Sequence, residues 1–204
     1  KSYFLSSTGL ASIREDAGTL IPEETTSIQN SFDIVVHDPW RPVPALGGHA
    51  AIPAGSFERS HLDSRSDVLT YTTEPLTADL HLAGDVAVEI WCTADKPSHD
   101  LCAVLSEVHP NGDVYNLTQG YLHVESSQTA PLRLALQATC ARIAQGNALR
   151  LSLSSACFPA YSMNPGTGQP VASDRLMDAE IITLRVSCGS DRPSQVLLPV
   201  VSPS

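Results

Sequence analysis

The sequence predicts an all-β fold in one domain, a sandwich or a barrel, and three observations predict it. Apolar residues recur with a period of two in run after run, which puts one side-chain set on one face of each strand. Turn residues interrupt these runs at a spacing of roughly ten residues, the interval of short antiparallel strands. No long segment carries the roughly 3.6-residue period of an amphipathic helix.

In chain order, the first strand-like run is at residues 32–36. Asp38-Pro39-Trp40-Arg41-Pro42-Val43-Pro44 follows, and three prolines exclude it from a central strand, so it reads as an extended surface arm. Gly47-Gly48-His49 has the ingredients of an oxyanion loop, but a turn after the arm is the better reading. Strands are then expected at 68–73, 86–92 and 101–108. His109-Pro110-Asn111-Gly112-Asp113 turns the chain: proline presets φ and Gly112 takes positive φ, so 101–108 pairs with 114–117 as a hairpin. Further runs lie at 121–125 and 132–136, and Gln145-Gly146-Asn147 breaks the chain before 149–154. In that last run Leu149, Leu151 and Leu153 face the core, Ser152 and Ser154 face away, and Phe158-Pro159 ends the strand. Residues 174–180 read as a short helical turn, and 181–187 and 196–201 as the final strands.

With 204 residues, 42% of them hydrophobic, the chain can bury a sizeable core. The net charge of −10, with no basic cluster, argues against nucleic acid as a partner. No apolar run approaches the length of a membrane span. The chain begins Lys1-Ser2-Tyr3-Phe4, which reads as sequence cut from something longer. Cys92, Cys102, Cys140, Cys157 and Cys188 are odd in number and widely spaced. They read as buried free thiols, which points to a reducing, cytoplasmic compartment, with secretion left open.

Candidate nucleophiles are Ser154, Ser155 and Cys157, at the end of a strand. The sequence has no GxSxG elbow, no helix start follows these residues, and no histidine follows His123. A Ser–acid–His order therefore cannot start from Ser154, and no catalytic residue is assigned. The seven histidines form neither HExxH nor HxH. His99-Asp100 and Glu107/His109 read as solvated or hydrogen-bonding pairs; no metal or cofactor is expected, and a loop calcium site stays open. Trp40 and Trp91 are the large aromatic anchors.

Five ordered stretches resemble one family: "HDPWRPVPALGG" (37–48), "DVLTYTTEPLTADLHLAG" (67–84), "VHPNGDVYNLTQGYLHV" (108–124), "LRLSLSSACFPAYSMNPGTG" (149–168) and "RPSQVLLPVV" (192–201). Together with "YFLSSTGLAS" (3–12) they are similar to the C-terminal domain of the X-Pro dipeptidyl-peptidase and cocaine-esterase (CocE/NonD) family of serine hydrolases. The resemblance implies a galactose-binding-domain-like jelly-roll β-sandwich over 31–204, with 1–30 as a lead-in segment packed on it. It implies a non-catalytic role beside an α/β-hydrolase domain that carries the Ser-Asp-His triad and a helical cap.

The residues after the glycine turn, His49, Ala50, Ala51 and Ile52, would wall the acyl side of the pocket, with Ala51 leaving it roomy. Trp40, Arg65, Asp67 and Tyr71 would lie on the interdomain surface. Glu58-Arg59-Ser60 replaces the Asp-Gln-Arg triplet typical of the family, which puts that triplet's contacts in doubt. The expected partners are the catalytic domain and a small ester or peptide substrate, with no nucleic acid and no membrane. Self-association is expected through an exposed apolar patch that includes Trp40 and Ile52. The alternative is a stand-alone carbohydrate- or protein-binding sandwich, because fold does not establish function.

Overall fold

The computed structural model describes residues 1–22, 29–125, 130–169 and 175–202. Its strands are β1 (Ser2–Ser7), β2 (Gly18–Pro22), β3 (Ser31–His37), β4 (Leu69–Thr72), β5 (Leu80–Gly84), β6 (Ala87–Ile90), β7 (Cys92–Ala94) and β8 (Ser98–Val108). They continue with β9 (Val114–Glu125), β10 (Leu132–Ala135), β11 (Thr139–Ile143), β12 (Ala148–Ser154), β13 (Ile182–Cys188), β14 (Gln195–Leu197) and β15 (Val200–Val201). One helical turn, α1 (Ser60–Asp63), precedes β4, and a 3-10 turn spans Leu176–Asp178 inside the helical turn expected at 174–180; residue 174 lies outside the described residues.

The architecture is the all-β sandwich expected, of jelly-roll type. A curved nine-stranded sheet runs β10-β6-β14-β1-β2-β4-β12-β8-β9, and two three-stranded sheets, β11-β5-β15 and β3-β13-β7, complete the enclosure. β8 and β9 form the hairpin that the Pro110–Gly112 turn predicts, with Val108 opposite Val114. Residues 1–22 supply β1 and β2, which sit inside the large sheet between β14 and β4. β5 and β11, like β1 and β2, had no expected strand over them; each is only five or six residues long, and β5 and β11 pair over their whole length.

The core takes Leu149, Leu151 and Leu153 of β12, Leu101, Ala103 and Leu105 of β8, and Val88 and Ile90 of β6. Ile182, Leu184 and Val186 of β13 close over them from the smaller sheet. The large sheet nearly shuts into a barrel: Gln137 N donates to Gln119 O at 3.2 Å and Thr118 Oγ1 to Gln137 O at 2.6 Å, just past the end of β10. Gly120 makes this seam possible, since a Cβ there would lie 2.5 Å from the carbonyl oxygen of Ala135. Gly120→Ala is therefore expected to lower stability by about 1–3 kcal/mol, because backbone rather than a side chain must move. Thermal denaturation checks this, and an unchanged Tm would mean that the seam opens freely.

Two expectations need correction. β8 and β12 are buried on both faces over most of their length, not on one. Ser152 and Ser154 do point away from the core, but into a second covered layer made by α1, the arm and residues 156–164. Cys140 is exposed rather than buried, because β11 alternates and turns Cys140 and Arg142 outward. All five cysteines are free.

Candidate functional site

The arm and the loop after it are pinned to the rim of the large sheet. Phe158 N donates to Val43 O at 3.0 Å and Ala45 N to Phe158 O at 2.7 Å, so the arm runs parallel to the segment leaving β12. Val43 is buried beneath, which makes the arm less superficial than its prolines suggest. Gly47 and Gly48 both take positive φ, 61° and 67°, and a Cβ on Gly47 would stand 2.4 Å from Gly55 O. This is the turn expected after the arm, and glycine is what lets the chain make it. Gly48 and Gly55 exchange two backbone hydrogen bonds, at 2.7 and 2.9 Å, and close a short loop.

Asn116 of β9 clamps the loop's base: its Oδ1 accepts from Phe57 N at 2.7 Å and its Nδ2 donates to Gly55 O at 3.0 Å. The loop so held presents the sequence-predicted wall. His49 is exposed, Ala50 and Ala51 are half-buried, and Ile52 stands free, 101% exposed. A cleft of about 370 Å³ lies between the loop's base and β9, lined by Gly48, His49, Asn116 and Gln119 among others.

His49 connects to a polar cluster that the sequence did not reveal. Tyr161 Oη is 3.2 Å from His49 Nε2, and the Tyr161 ring stacks on Tyr121 with centroids 4.1 Å apart and planes 1° from parallel. Tyr121 in turn donates to Asp100 Oδ2. Asp100 is buried, and its other oxygen lies 2.7 Å from His123 Nδ1 and accepts from Asn164 Nδ2 at 3.0 Å. Burial, and then the Asp100 charge, push the Tyr121 hydroxyl well above its ordinary range, so it stays a donor. His99 is also buried, which lowers its basicity. Of the two readings of His99-Asp100, solvated or hydrogen-bonding, solvation does not hold for either residue, and Asp100 is a buried, hydrogen-bonded hub.

The candidate nucleophiles sit beside this hub, with hydroxyls turned to backbone. Ser155 Oγ donates to Asp100 O at 2.8 Å and Ser154 Oγ to Ala156 O at 3.0 Å, both buried. Cys157 is buried against Cys102. Among the described residues, no group of three or more His, Cys, Asp or Glu is placed to hold a metal ion.

Trp40, Arg65 and Asp67 gather on the arm's other flank. Arg65 grips Asp67 through two hydrogen bonds, 2.7 and 2.5 Å, and its Nη2 also donates to Arg41 O at 2.9 Å. The pair thereby ties the arm to the approach of β4, and it lines a cleft of about 340 Å³ with Asp38 and Arg41. Trp40 is half-exposed beside it in the chain.

Tyr71 does not belong to any surface. It is fully buried, because β4 pairs with β12 and turns Leu69 and Tyr71 into the core, where the Tyr71 hydroxyl donates to Asp33 Oδ2 at 2.8 Å. The divergent triplet has its own partners: Glu58 Oε1 accepts from Ser60 N at 2.7 Å, and Arg59 is buried on Asp63 at 3.0 Å.

This arrangement, a core sandwich with a braced loop on its rim, matches one family model, the X-Pro dipeptidyl-peptidase C-terminal non-catalytic domain, over residues 1–197. The chain belongs to this family. As an X-Pro dipeptidyl-peptidase C-terminal domain it has a non-catalytic place in hydrolases of this type. It is 27% identical over 216 residues to the cocaine esterase of Rhodococcus sp. strain MB1 Bresler, covering 98% of this chain and 37% of that protein. Two solved structures share the fold: an aminopeptidase from a marine sediment archaeon, Thaumarchaeota (TM-score 0.81, 22% identity, 99% of this chain, 37% of that one), and an α-amino acid ester hydrolase (TM-score 0.79, 22% identity, 98% and 36%). The chain thus spans little more than a third of each of these three proteins.

Proposed function

We propose that this domain works beside an α/β-hydrolase catalytic domain, as the wall of the acyl side of its pocket. The reaction of the whole enzyme is hydrolysis of an ester or amide through an acyl-enzyme, with nucleophile, base and oxyanion hole supplied by the catalytic domain. The observation that carries this reading is the loop of His49, Ala50, Ala51 and Ile52: an isoleucine with no cover of its own, on a loop clamped by Asn116 and braced by Tyr161. A rigid loop that exposes an aliphatic side chain is poorly explained by the domain alone and well explained by a neighbour it packs against. Trp40 and the Arg65–Asp67 pair, on and beside the arm, are the interdomain surface in this reading.

The test uses the full-length enzyme encoded by the gene that contains this chain. Ile52→Asp is expected to cut kcat/KM on bulky acyl esters about 10-fold or more, with a smaller effect on acetyl esters, the range set by apolar contacts in a pocket. Equal kinetic constants across the acyl series would overturn the wall. The chain by itself is expected to hydrolyse p-nitrophenyl esters no faster than its Ser155→Ala variant. Tight binding of a glycan by the isolated chain would favour the stand-alone binding module instead.

A further inference from the structure

Two of the five cysteines stand apart chemically. Cys102 on β8 and Cys157 after β12 are buried in one small cluster with Val104, flanked by Tyr121 and Tyr161. β8 and β12 pair with Cys102 opposite Ser154, three residues before Cys157. The two thiols share that buried cluster closely enough for each to shift the other's acidity. The other buried cysteines, Cys92 and Cys188, are each pushed up to about 12, burial being the main cause. At Cys157 the balance reverses: the neighbouring Cys102 thiol outweighs burial, the Arg59 guanidinium adds to it, and the thiol is held below its ordinary range. Cys102 is raised, by the neighbouring Cys157 and then by burial. An acidified thiol next to one that keeps its proton is the arrangement that thiol–disulfide exchange uses.

We propose that Cys102 and Cys157 form a reversible disulfide, with a small-molecule disulfide such as oxidised glutathione as oxidant. The Cys157 thiolate attacks one sulfur of R–S–S–R, forms a mixed disulfide and releases one R–S⁻. The Cys102 sulfur then attacks the Cys157 sulfur and releases the second R–S⁻. Two protein thiols become one protein disulfide, one small disulfide becomes two small thiols, and the protein's two protons end on the released thiolates. Because both thiols are buried, exchange waits for residues 156–161 to lift, so it is slower than at the exposed Cys140.

The bond falls where it has mechanical effect. Tyr161 N donates to Cys157 O at 3.0 Å, so the turn that carries the Tyr161 ring to Tyr121 and its hydroxyl to His49 starts at Cys157. Oxidation would lock that turn to β8 and stiffen the brace of the loop. The thiol chemistry does not depend on the proposed wall and is read on this chain by itself.

The experiment uses the full chain carrying Cys140→Ser, which removes the exposed thiol and leaves four. The chain is held in excess oxidised glutathione, then denatured, alkylated and mapped by proteolysis and mass spectrometry. The expected result is loss of two alkylatable thiols, a cross-linked peptide pair containing Cys102 and Cys157, and a Tm raised by about 5–10 °C, all reversed by reductant. Cys102→Ala in the same background should stop at a glutathione adduct on Cys157, and Cys157→Ala should keep all its thiols. Far-ultraviolet circular dichroism checks that each variant is folded. A stable glutathione adduct with both cysteines present, a bond to Cys92 or Cys188, or four free thiols after prolonged exposure would each overturn the proposal.

Discussion

Asp33→Ala is expected to destabilise the domain by roughly 3–5 kcal/mol, a large part of the 5–15 kcal/mol that holds a domain together. Asp33 is fully buried on β3, and three firm hydrogen bonds converge on its carboxyl group. Oδ1 accepts from Ser7 Oγ at 2.8 Å and from Ala11 N at 2.9 Å; Oδ2 accepts from Tyr71 Oη at 2.8 Å. The Cys188 thiol of β13 approaches both Asp33 and Tyr71 at 3.9 Å. One side chain of the smaller sheet therefore collects donors from the end of β1, the turn after it and β4, and fastens the two sheets together. Alanine would leave the buried donors of Ala11 and Tyr71 without an acceptor, each costing about 1–3 kcal/mol, and the half-buried Ser7 hydroxyl costing less. Tyr71→Phe removes only one donor and should cost about 1 kcal/mol. Urea denaturation followed by circular dichroism separates the two, and a loss for Asp33→Ala no larger than that for Tyr71→Phe would show that water replaces the carboxylate.

Tyr71 and Asp33 also show where reading the chain by itself stops. The family resemblance puts Tyr71 on the interdomain surface, because a resemblance cannot tell a core hydrogen bond from a surface contact. On β3 the alternation even misleads: Phe32, Ile34 and Val36 face outward while Asp33, Val35 and His37 are buried. An apolar set on the outside of a strand gives no local warning, because the signal is the same whichever face is covered.

The β8–β9 hairpin is a second case. The turn at 109–113 sets Val108 opposite Val114, and continued without interruption that register would place Asp100 opposite Leu122. A bulge between Leu105 and Ser106 absorbs Leu117, so Asp100 faces His123 and Cys102 faces Tyr121. The polar cluster under the loop exists because of that one extra residue, and its sequence around Leu117 looks like any other strand. What was legible is what depends on local chemistry: the period-two strands, the Pro110–Gly112 hairpin and the Gly47-Gly48 turn. The clustering of Asp100, Tyr121, Tyr161 and Asn164 depends on distant pairing and was not.

Asp63→Ala should be comparably severe, about 3–5 kcal/mol, for a different reason. On the outer face of β12, Asp63 at the end of α1 is the counter-charge to two buried guanidinium groups. Its Oδ1 accepts from Arg59 Nε at 3.0 Å and from Ser152 Oγ at 2.9 Å, and its Oδ2 lies 3.6 Å from Arg150 Nη1. Arg150 also donates to Thr72 Oγ1 at 2.9 Å, and its only other carboxylate neighbour among the described residues is the exposed Glu15 at 3.8 Å. Removing Asp63 leaves two cations facing each other under cover, and the penalty comes from that stranded charge rather than from a lost attraction.

Two controls distinguish these. Glu15→Ala, on an exposed partner, should cost less than about 1 kcal/mol. The apolar triple change Arg59→Met, Asp63→Leu and Arg150→Met should recover most of what Asp63→Ala loses, since a buried ion cluster is often no more stable than well-packed apolar residues. Urea denaturation of the three variants beside the parent chain decides. A triple variant as unstable as Asp63→Ala would mean that the cluster is needed in its own right, to hold α1, and with it the Arg65 contact to the arm, against the sheet.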